Sequence, residues 1–288
     1  MELSEKIAIV TGSNTGLGFE TTLDLYQKGA KVYIACRDEE KGLDAIKRMK
    51  AISGGGELVY GHLDLSSLSS VKEFAEKFIA IESGLDLLVN NAGVMIPPPS
   101  KSEDGFELQF GVNFIGHFAL TGHLFKLLES TRGSRVVTLS SIAHRGAVID
   151  FDNFKLEKPY NNWREYGQSK LADLIFALEF EKRLRKNGYN IMSLAAHPGF
   201  SKTDLQKYMD KDMLGSLELM TAKEGAQPTL AACLRSDAKG GQYWGPDGYN
   251  EQKGKPALAK IDSVALDEKL NAKLWDWAKK TTKVSFPF

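Results

Sequence analysis

The 288-residue sequence has few cysteines, no excess of either charge and no clean apolar run of membrane length. Cys36 and Cys233 lie far apart, with no CxxC pair or Cys/His cluster. Neither a disulfide framework nor a zinc site is therefore expected, and a reducing compartment fits. Lys plus Arg number 37 and Asp plus Glu number 37. That balance argues against a general nucleic-acid binder and against an acidic disordered tail. The longest stretch without a charged residue, Leu108 to Phe125, has the length of a membrane span. Gln109, Asn113, His117, Thr121 and His123 interrupt it, and each would be costly in lipid. Met1 to Lys6 shows no basic start followed by an apolar run. The expectation is a cytoplasmic chain with no membrane anchor.

What the sequence does contain is a regular rhythm. Short apolar runs predict strands at 6–10, 31–36, 58–63, 85–89, 135–139, 191–196 and 241–245. Between them, helical patterns predict helices at 16–28, 38–51, 67–81, 104–130, 163–187, 221–235 and 263–280. Strands alternating with helices imply an α/β fold whose parallel sheet, of about seven strands, is covered on both faces. No Pro/Ser-rich linker or repeat divides the chain, and Pro97-Pro-Pro-Ser100 reads as a loop. One doubly wound domain over 1–288 is expected, with ligands beyond the carboxyl ends of the strands.

The unusual residues fall at those ends. Thr11-Gly-Ser-Asn-Thr-Gly-Leu-Gly18 follows the first strand and opens the first helix. Gly12, Gly16 and Gly18 permit a tight turn and the close approach of a pyrophosphate to helix N–H groups. After the second strand, where an NAD site wants a carboxylate, stand Cys36 and Arg37. Arg37 can pair with a 2′-phosphate, which favours NADP(H); Asp38 is the competing acidic candidate. Asp64 follows strand three and is placed either for adenine or for capping, where Ser66 and Ser67 compete. Asn90-Asn-Ala-Gly93 follows strand four, as a cofactor platform or an Asx turn.

Tyr166 and Lys170 share one face of a helix at i and i+4. The cation alone predicts a phenol lowered from about 10 and usable as an acid or base. Ser140 and Ser141 end strand five at the same rim. Asn113 interrupts an apolar helix and needs a partner. Its amide is placed to hold a water bridging Lys170 to solvent, or else is a satisfied buried amide.

These marks, with Pro198-Gly199-xxx-Thr203, resemble the short-chain dehydrogenase/reductase superfamily in order and along nearly the whole chain. The resemblance implies a Rossmann-type doubly wound fold and a catalytic set of Ser141, Tyr166, Lys170 and Asn113. Ser141 is preferred to Ser140 because it matches the serine preceding the family's small apolar pair. Tyr166 would donate the proton in reduction and accept it in oxidation. Lys170 would bind the nicotinamide ribose, and Ser141 would polarise the carbonyl. The implied cofactor site comprises Gly12, Ser13, Asn14, Gly16, Leu17, Gly18, Arg37, Asp64, Leu65, Asn91, Ala92 and Gly93. Tyr166, Lys170, Pro198, Gly199 and Thr203 complete it. Ser141 and Tyr166 stand farther apart than in many members. The extra segment, 142–163, resembles the branch of retinol dehydrogenases and the WW-domain-containing oxidoreductase, as do Cys36-Arg-Asp38 and His197-Pro-Gly199. That branch generally prefers NADP; neither its frequent N-terminal anchor nor a WW domain is expected here.

Residues 200–221 would form a lid, with Leu205, Tyr208, Met209, Met213, Leu214, Leu217 and Met220 over a small hydrophobic carbonyl or alcohol substrate. An amphipathic cover packing on its own core is the plainer alternative. His117, His123, His144 and His197 show no metal-ligand spacing; they read as structural or supporting, and no metal is expected. A homo-oligomer is the family default. The reading as a whole is an NADP(H)-dependent carbonyl reductase or alcohol dehydrogenase. Its alternatives are an NAD-dependent enzyme using Asp38 and a catalytically silent nucleotide sensor.

Overall fold

The computed structural model describes residues 2–52, 54–210, 212, 215 and 218–288. One eight-stranded sheet runs through it in the order β3-β2-β1-β4-β5-β6-β7-β8. The strands are β1 (Ile7–Thr11), β2 (Lys31–Cys36), β3 (Glu57–His62), β4 (Leu87–Asn90), β5 (Arg135–Leu139), β6 (Met192–Ala196), β7 (Tyr243–Pro246) and β8 (Pro256–Leu258). The first seven are parallel; β8 pairs antiparallel with β7, Gly245 opposite Ala257. The strand order reverses between β1 and β4, and the crevice at that switch point is where ligands of such sheets bind.

Alternation along the strands supplies both layers. In β1, Ile9 packs into one core while Ala8 and Val10 pack into the other. The second core is covered by α1 (Gly16–Gln27), α2 (Glu39–Ile52) and a helix late in the chain (Gln227–Leu234). The first is covered by α3 (Leu68–Ile81), the 108–130 region, the long helix Asn162–Lys186 and the C-terminal helix Glu268–Thr282.

The 104–130 stretch departs from the single helix its pattern predicts. It runs as α4 (Leu108–Phe110), a π turn (Gly111–Ile115), α5 (Gly116–His123) and α6 (Phe125–Ser130). Glu107 caps α4 by accepting from the Phe110 N–H at 2.8 Å. No helix among the described residues is long and apolar enough to cross a membrane. The Asn162–Lys186 helix is α7; the side chain of Asn161 caps it, accepting from the Arg164 N–H. The C-terminal region forms α8 (Ala222–Gly225), α9 (Gln227–Leu234) and α10 (Glu268–Thr282). Thr221 and Glu224 make a reciprocal capping box at α8.

The extra segment between β5 and α7 is docked on the core. Phe154 stacks on Phe110 at 4.3 Å between ring centroids and lies 4.3 Å from Trp277. The Glu107 N–H donates to its carbonyl at 2.8 Å.

Candidate active site

The glycine loop is built for contact. Gly12 has φ +63°, a conformation that L side chains rarely adopt. A Cβ on Gly18 would lie 2.5 Å from Asn91 Nδ2 and 2.7 Å from the Gly12 carbonyl oxygen. The loop, the tip of β4 and the start of the lid thus enclose a groove of about 340 Å³ lined by Gly12, Asn14, Gly16, Leu17, Gly18, Arg37, Asn91, Ala92, Gly93 and Thr203, among others.

The Thr11 hydroxyl ties the ends of β1 and β4 together. It accepts from the Asn91 and Ala92 N–H groups, each at 2.9 Å. His117 Nε2 lies 2.8 Å from it, and His117 Nδ1 lies 2.7 Å from the Asn113 carbonyl. A carbonyl only accepts, so Nδ1 carries the proton and Nε2 accepts from the Thr11 hydroxyl. Burial pushes His117 down to about 3, from 6.5. Between those two values the unfolded chain binds a proton that the folded chain refuses, so stability falls as pH drops through the window. Urea unfolding midpoints should therefore decline from neutrality toward about pH 5. The decline should be smaller in His117→Gln; equal declines would contradict the assignment.

Several predicted residues lie elsewhere than in the groove. Ser13 is fully buried, and its hydroxyl donates to the Val10 carbonyl at 2.7 Å. Leu65 packs in the core. Asp64 Oδ1 accepts from both the N–H and the hydroxyl of Ser66, while Oδ2 lies 3.7 Å from Arg37. It does not cap α3; Ser67 does. Oδ2 accepts no hydrogen bond among the described residues, so one oxygen of Asp64 stays open to a donor. Asn113 sits in the π turn, and its amide donates to the Val94 carbonyl and to Ser169 Oγ, at 3.0 and 2.9 Å. Its oxygen accepts from the Val94 N–H at 2.8 Å. Both amide donors are spent on protein, so the satisfied-amide reading describes it, not a water held on its N–H groups. It ties the chain after β4 to the π turn.

A second, mainly apolar cavity of about 480 Å³ continues from the groove, sharing Leu17, Asn91, Gly93, Met95, Thr203 and Leu205 with it. Ser141, Tyr166 and Lys170 line it, with Pro198 and Gly199. Ser140 also reaches its wall, but its hydroxyl donates to the Lys170 carbonyl at 2.7 Å and locks β5 to α7. Ser141 accepts from the Ala143 N–H, and its hydroxyl meets the Tyr166 phenol. His144 Nδ1 holds the Ser141 carbonyl at 2.6 Å. The Tyr166 phenol stands above its ordinary value: burial raises it, against the Lys170 cation and the Ser141 hydrogen bond. The lowering expected from the cation alone is thus outweighed by desolvation. Lys170 Nζ donates to the Leu139 carbonyl at 2.9 Å and to Asp173 Oδ2 at 2.8 Å. Under Pro198, His197 Nε2 meets the Glu251 carboxylate at 3.0 Å, which also holds Arg145.

A family model described as short chain dehydrogenase matches residues 6–214. Retinol dehydrogenase 11 of Mus musculus is 42% identical over 238 residues, 81% of this chain and 75% of the mouse protein. Retinol dehydrogenase 13 of Homo sapiens is 38% identical, covering 94% of this chain and 82% of its own length. The chain belongs to the short-chain dehydrogenase/reductase superfamily, in its retinol dehydrogenase-like branch. A crystal structure of a Mycobacterium paratuberculosis protein superposes with a TM-score of 0.84 at 36% identity, covering 100% of this chain and 97% of that one. Pseudomonas aeruginosa RhlG, solved with NADP, shares the fold at a TM-score of 0.68 and 24% identity, over 84% of this chain and 94% of its own. As a member of that superfamily the chain is an oxidoreductase of CH–OH and C=O groups.

Other parts of this dehydrogenase site went unread in the sequence. Met95, Ile142, Ala143, Trp163, Phe200 and Leu219 also line the cavity. Trp163 precedes Tyr166 by three residues on α7, and their ring centroids are 6.3 Å apart; that spacing was the available signal. Arg48 donates to the Asn14 carbonyl at 2.9 Å from α2 and supports the glycine loop. Of the lid residues, Leu205 and Met209 face the cavity, Tyr208 lines the groove, and Met220 closes the neck by pairing with Ser201. Met213, Leu214 and Leu217 lie outside the described residues.

Proposed function

We propose that the chain is an NADP(H)-dependent oxidoreductase that interconverts a carbonyl and an alcohol on a hydrophobic small molecule. The observation that carries this is the meeting of Ser141, Tyr166 and Lys170 in an apolar cavity that opens directly into the glycine-loop groove. A dinucleotide reading is supported by the glycine loop lining the groove, where contacts with Ala92, Asn91 and the loop's own backbone leave no room for a side chain at position 12 or 18. The cavity has the size and lining of a small-molecule pocket.

Bound nicotinamide supplies or takes the hydride. The chain's own groups handle the proton and the geometry. Ser141 orients the substrate oxygen. The Tyr166 hydroxyl gives its proton to that oxygen in reduction and takes it back in oxidation. Lys170 would bind the ribose, and the Pro198–Gly199 backbone with Thr203 would hold the nicotinamide amide, since all four line the cavity. Residues from Leu205 to Met209 act as the lid and exclude water.

Two features support NADP(H) over NAD. The Arg37 side chain lines the groove and is 73% exposed, free to turn onto a phosphate. Asp38 instead accepts from the Lys41 N–H at 3.1 Å and pairs with the Lys41 ammonium, occupied at the start of α2. Charge-assisted hydrogen bonds of this kind contribute about 1.5–3 kcal/mol, so Arg37→Ala should weaken NADPH binding about 10- to 100-fold. NADH binding should hardly change. Equal affinities for NADPH before and after the substitution would refute the NADP(H) assignment. A panel of hydrophobic aldehydes, ketones, steroids and retinoids with NADPH, read by nicotinamide absorbance, tests the reaction itself.

A further inference from the structure

Lys170 and Asp173 are both almost fully buried, their side chains 6% and 1% exposed. Their charged atoms lie 2.8 Å apart, and the Leu139 carbonyl takes a second of the three ammonium protons. The other carboxylate oxygen, Asp173 Oδ1, is buried without a hydrogen-bond partner among the described residues. As a device for stability this is poor. Burying two charges costs several kcal/mol each, of order, and the attraction repays it only when the remaining lone pairs are satisfied. A leucine would fill the space more cheaply. The carboxylate does, however, touch the Lys170 cation that stands beside Tyr166.

We propose that Asp173 is a positioning residue of the reaction: it anchors the Lys170 ammonium and, by opposing its charge, sets how readily the Tyr166 hydroxyl gives up its proton. This rests on the reaction proposed above and adds a residue to it. A bare cation favours phenolate; a carboxylate in direct contact with that cation cancels much of its field. Tyr166 then keeps its proton near neutrality, which suits donation to a carbonyl. The groups that act on the pair are Tyr166 itself on α7 and His117 on α5, which feels the Lys170 cation; Tyr166 in turn meets Ser141 after β5 and acts on Tyr243 of β7, which Glu251 and Arg145 also influence. His117 is held neutral, and Tyr243 is raised by burial, so neither adds charge near neutral pH. Burial also pushes the Asp173 carboxyl up to about 7. Its opposition to Lys170 therefore fades as pH falls through neutrality.

The test is Asp173→Asn, which keeps an oxygen for Lys170 and removes the charge. Tyrosine Cζ carbon-13 shifts are followed against pH in the NADP-bound protein, with the Tyr166 signal assigned by its loss in Tyr166→Phe. The Tyr166 midpoint should fall by about one pH unit in the variant, the lower end of a neighbouring-charge effect. The rising limb of alcohol oxidation should move by the same amount. Asp173→Ser serves as a second variant should the asparagine not fold. The proposal is overturned if Tyr166 titrates at one pH in wild type and variant, or in neither before the fold is lost. The shift measurement needs no turnover. A moved midpoint with no substrate turned over would sink the proposed reaction and leave the role of Asp173 standing. Turnover with an unmoved midpoint would do the reverse.

Discussion

Tyr166→Phe is expected to lower turnover by about 10³-fold, the middle of the range for removing a general acid or base. The change deletes one oxygen and keeps the ring. That ring is buried against Met95 and Ile96, so the local packing should survive. The glycine loop and Arg37 lie in the adjoining groove and are untouched, so dinucleotide affinity should stay within a few-fold, about 1 kcal/mol. The separation of the two effects is the informative part: a loss of turnover accompanied by loss of cofactor binding would signal a disturbed site. Steady-state kinetics together with a fluorescence titration of NADPH would measure both. Normal turnover in the variant would remove Tyr166 from the reaction.

Phe118→Ala is expected to have the largest effect on stability. Its side chain has no solvent exposure. Its ring lies 5.1–6.0 Å from those of Phe114, Phe176, Trp275 and Phe286. These residues come from the π turn, α7, α10 and the C-terminal tail. Deleting the ring leaves a cavity that this interlocked set cannot close, and such deletions cost about 3–5 kcal/mol. Domains are stable by only about 5–15 kcal/mol. Urea unfolding should show a large drop in midpoint, and an unchanged midpoint would show that the cluster relaxes into the space. The change lies on α5, against the part of α7 that follows Lys170. A loss of folded protein should therefore precede any specific loss of chemistry.

Seven of the strands, and the residues that meet in the candidate site, are legible in the sequence because each carries a local mark. Apolar runs ending in small residues marked β1 and β4, and the i, i+4 spacing marked Tyr166 with Lys170. What escaped depends on groups distant in the chain. The break of 104–130 into a π turn follows from the Asn113 amide bonding to Val94 and Ser169, which periodicity within one helix cannot reveal. The proton state of Tyr166 follows from burial, so a spacing argument using Lys170 alone gave the wrong direction. Asp173, three residues beyond Lys170, reads in the sequence as an ordinary helix carboxylate. Only the packing of α7 under Leu139 makes it a buried one. The eighth strand is three residues long and begins with proline, too short to carry a pattern.

That last strand has a consequence for the protein at high concentration. A sheet edge is a template on which another chain can add, and long flat edges invite fibres. Here the growing edge beyond β7 is occupied by a stub whose first residue, Pro256, has no N–H to offer. Lys255 and Lys260 flank it with like charge. Two copies approaching along that side would meet a short, proline-started and mutually repelling border, so β8 protects the sheet against edge-to-edge aggregation.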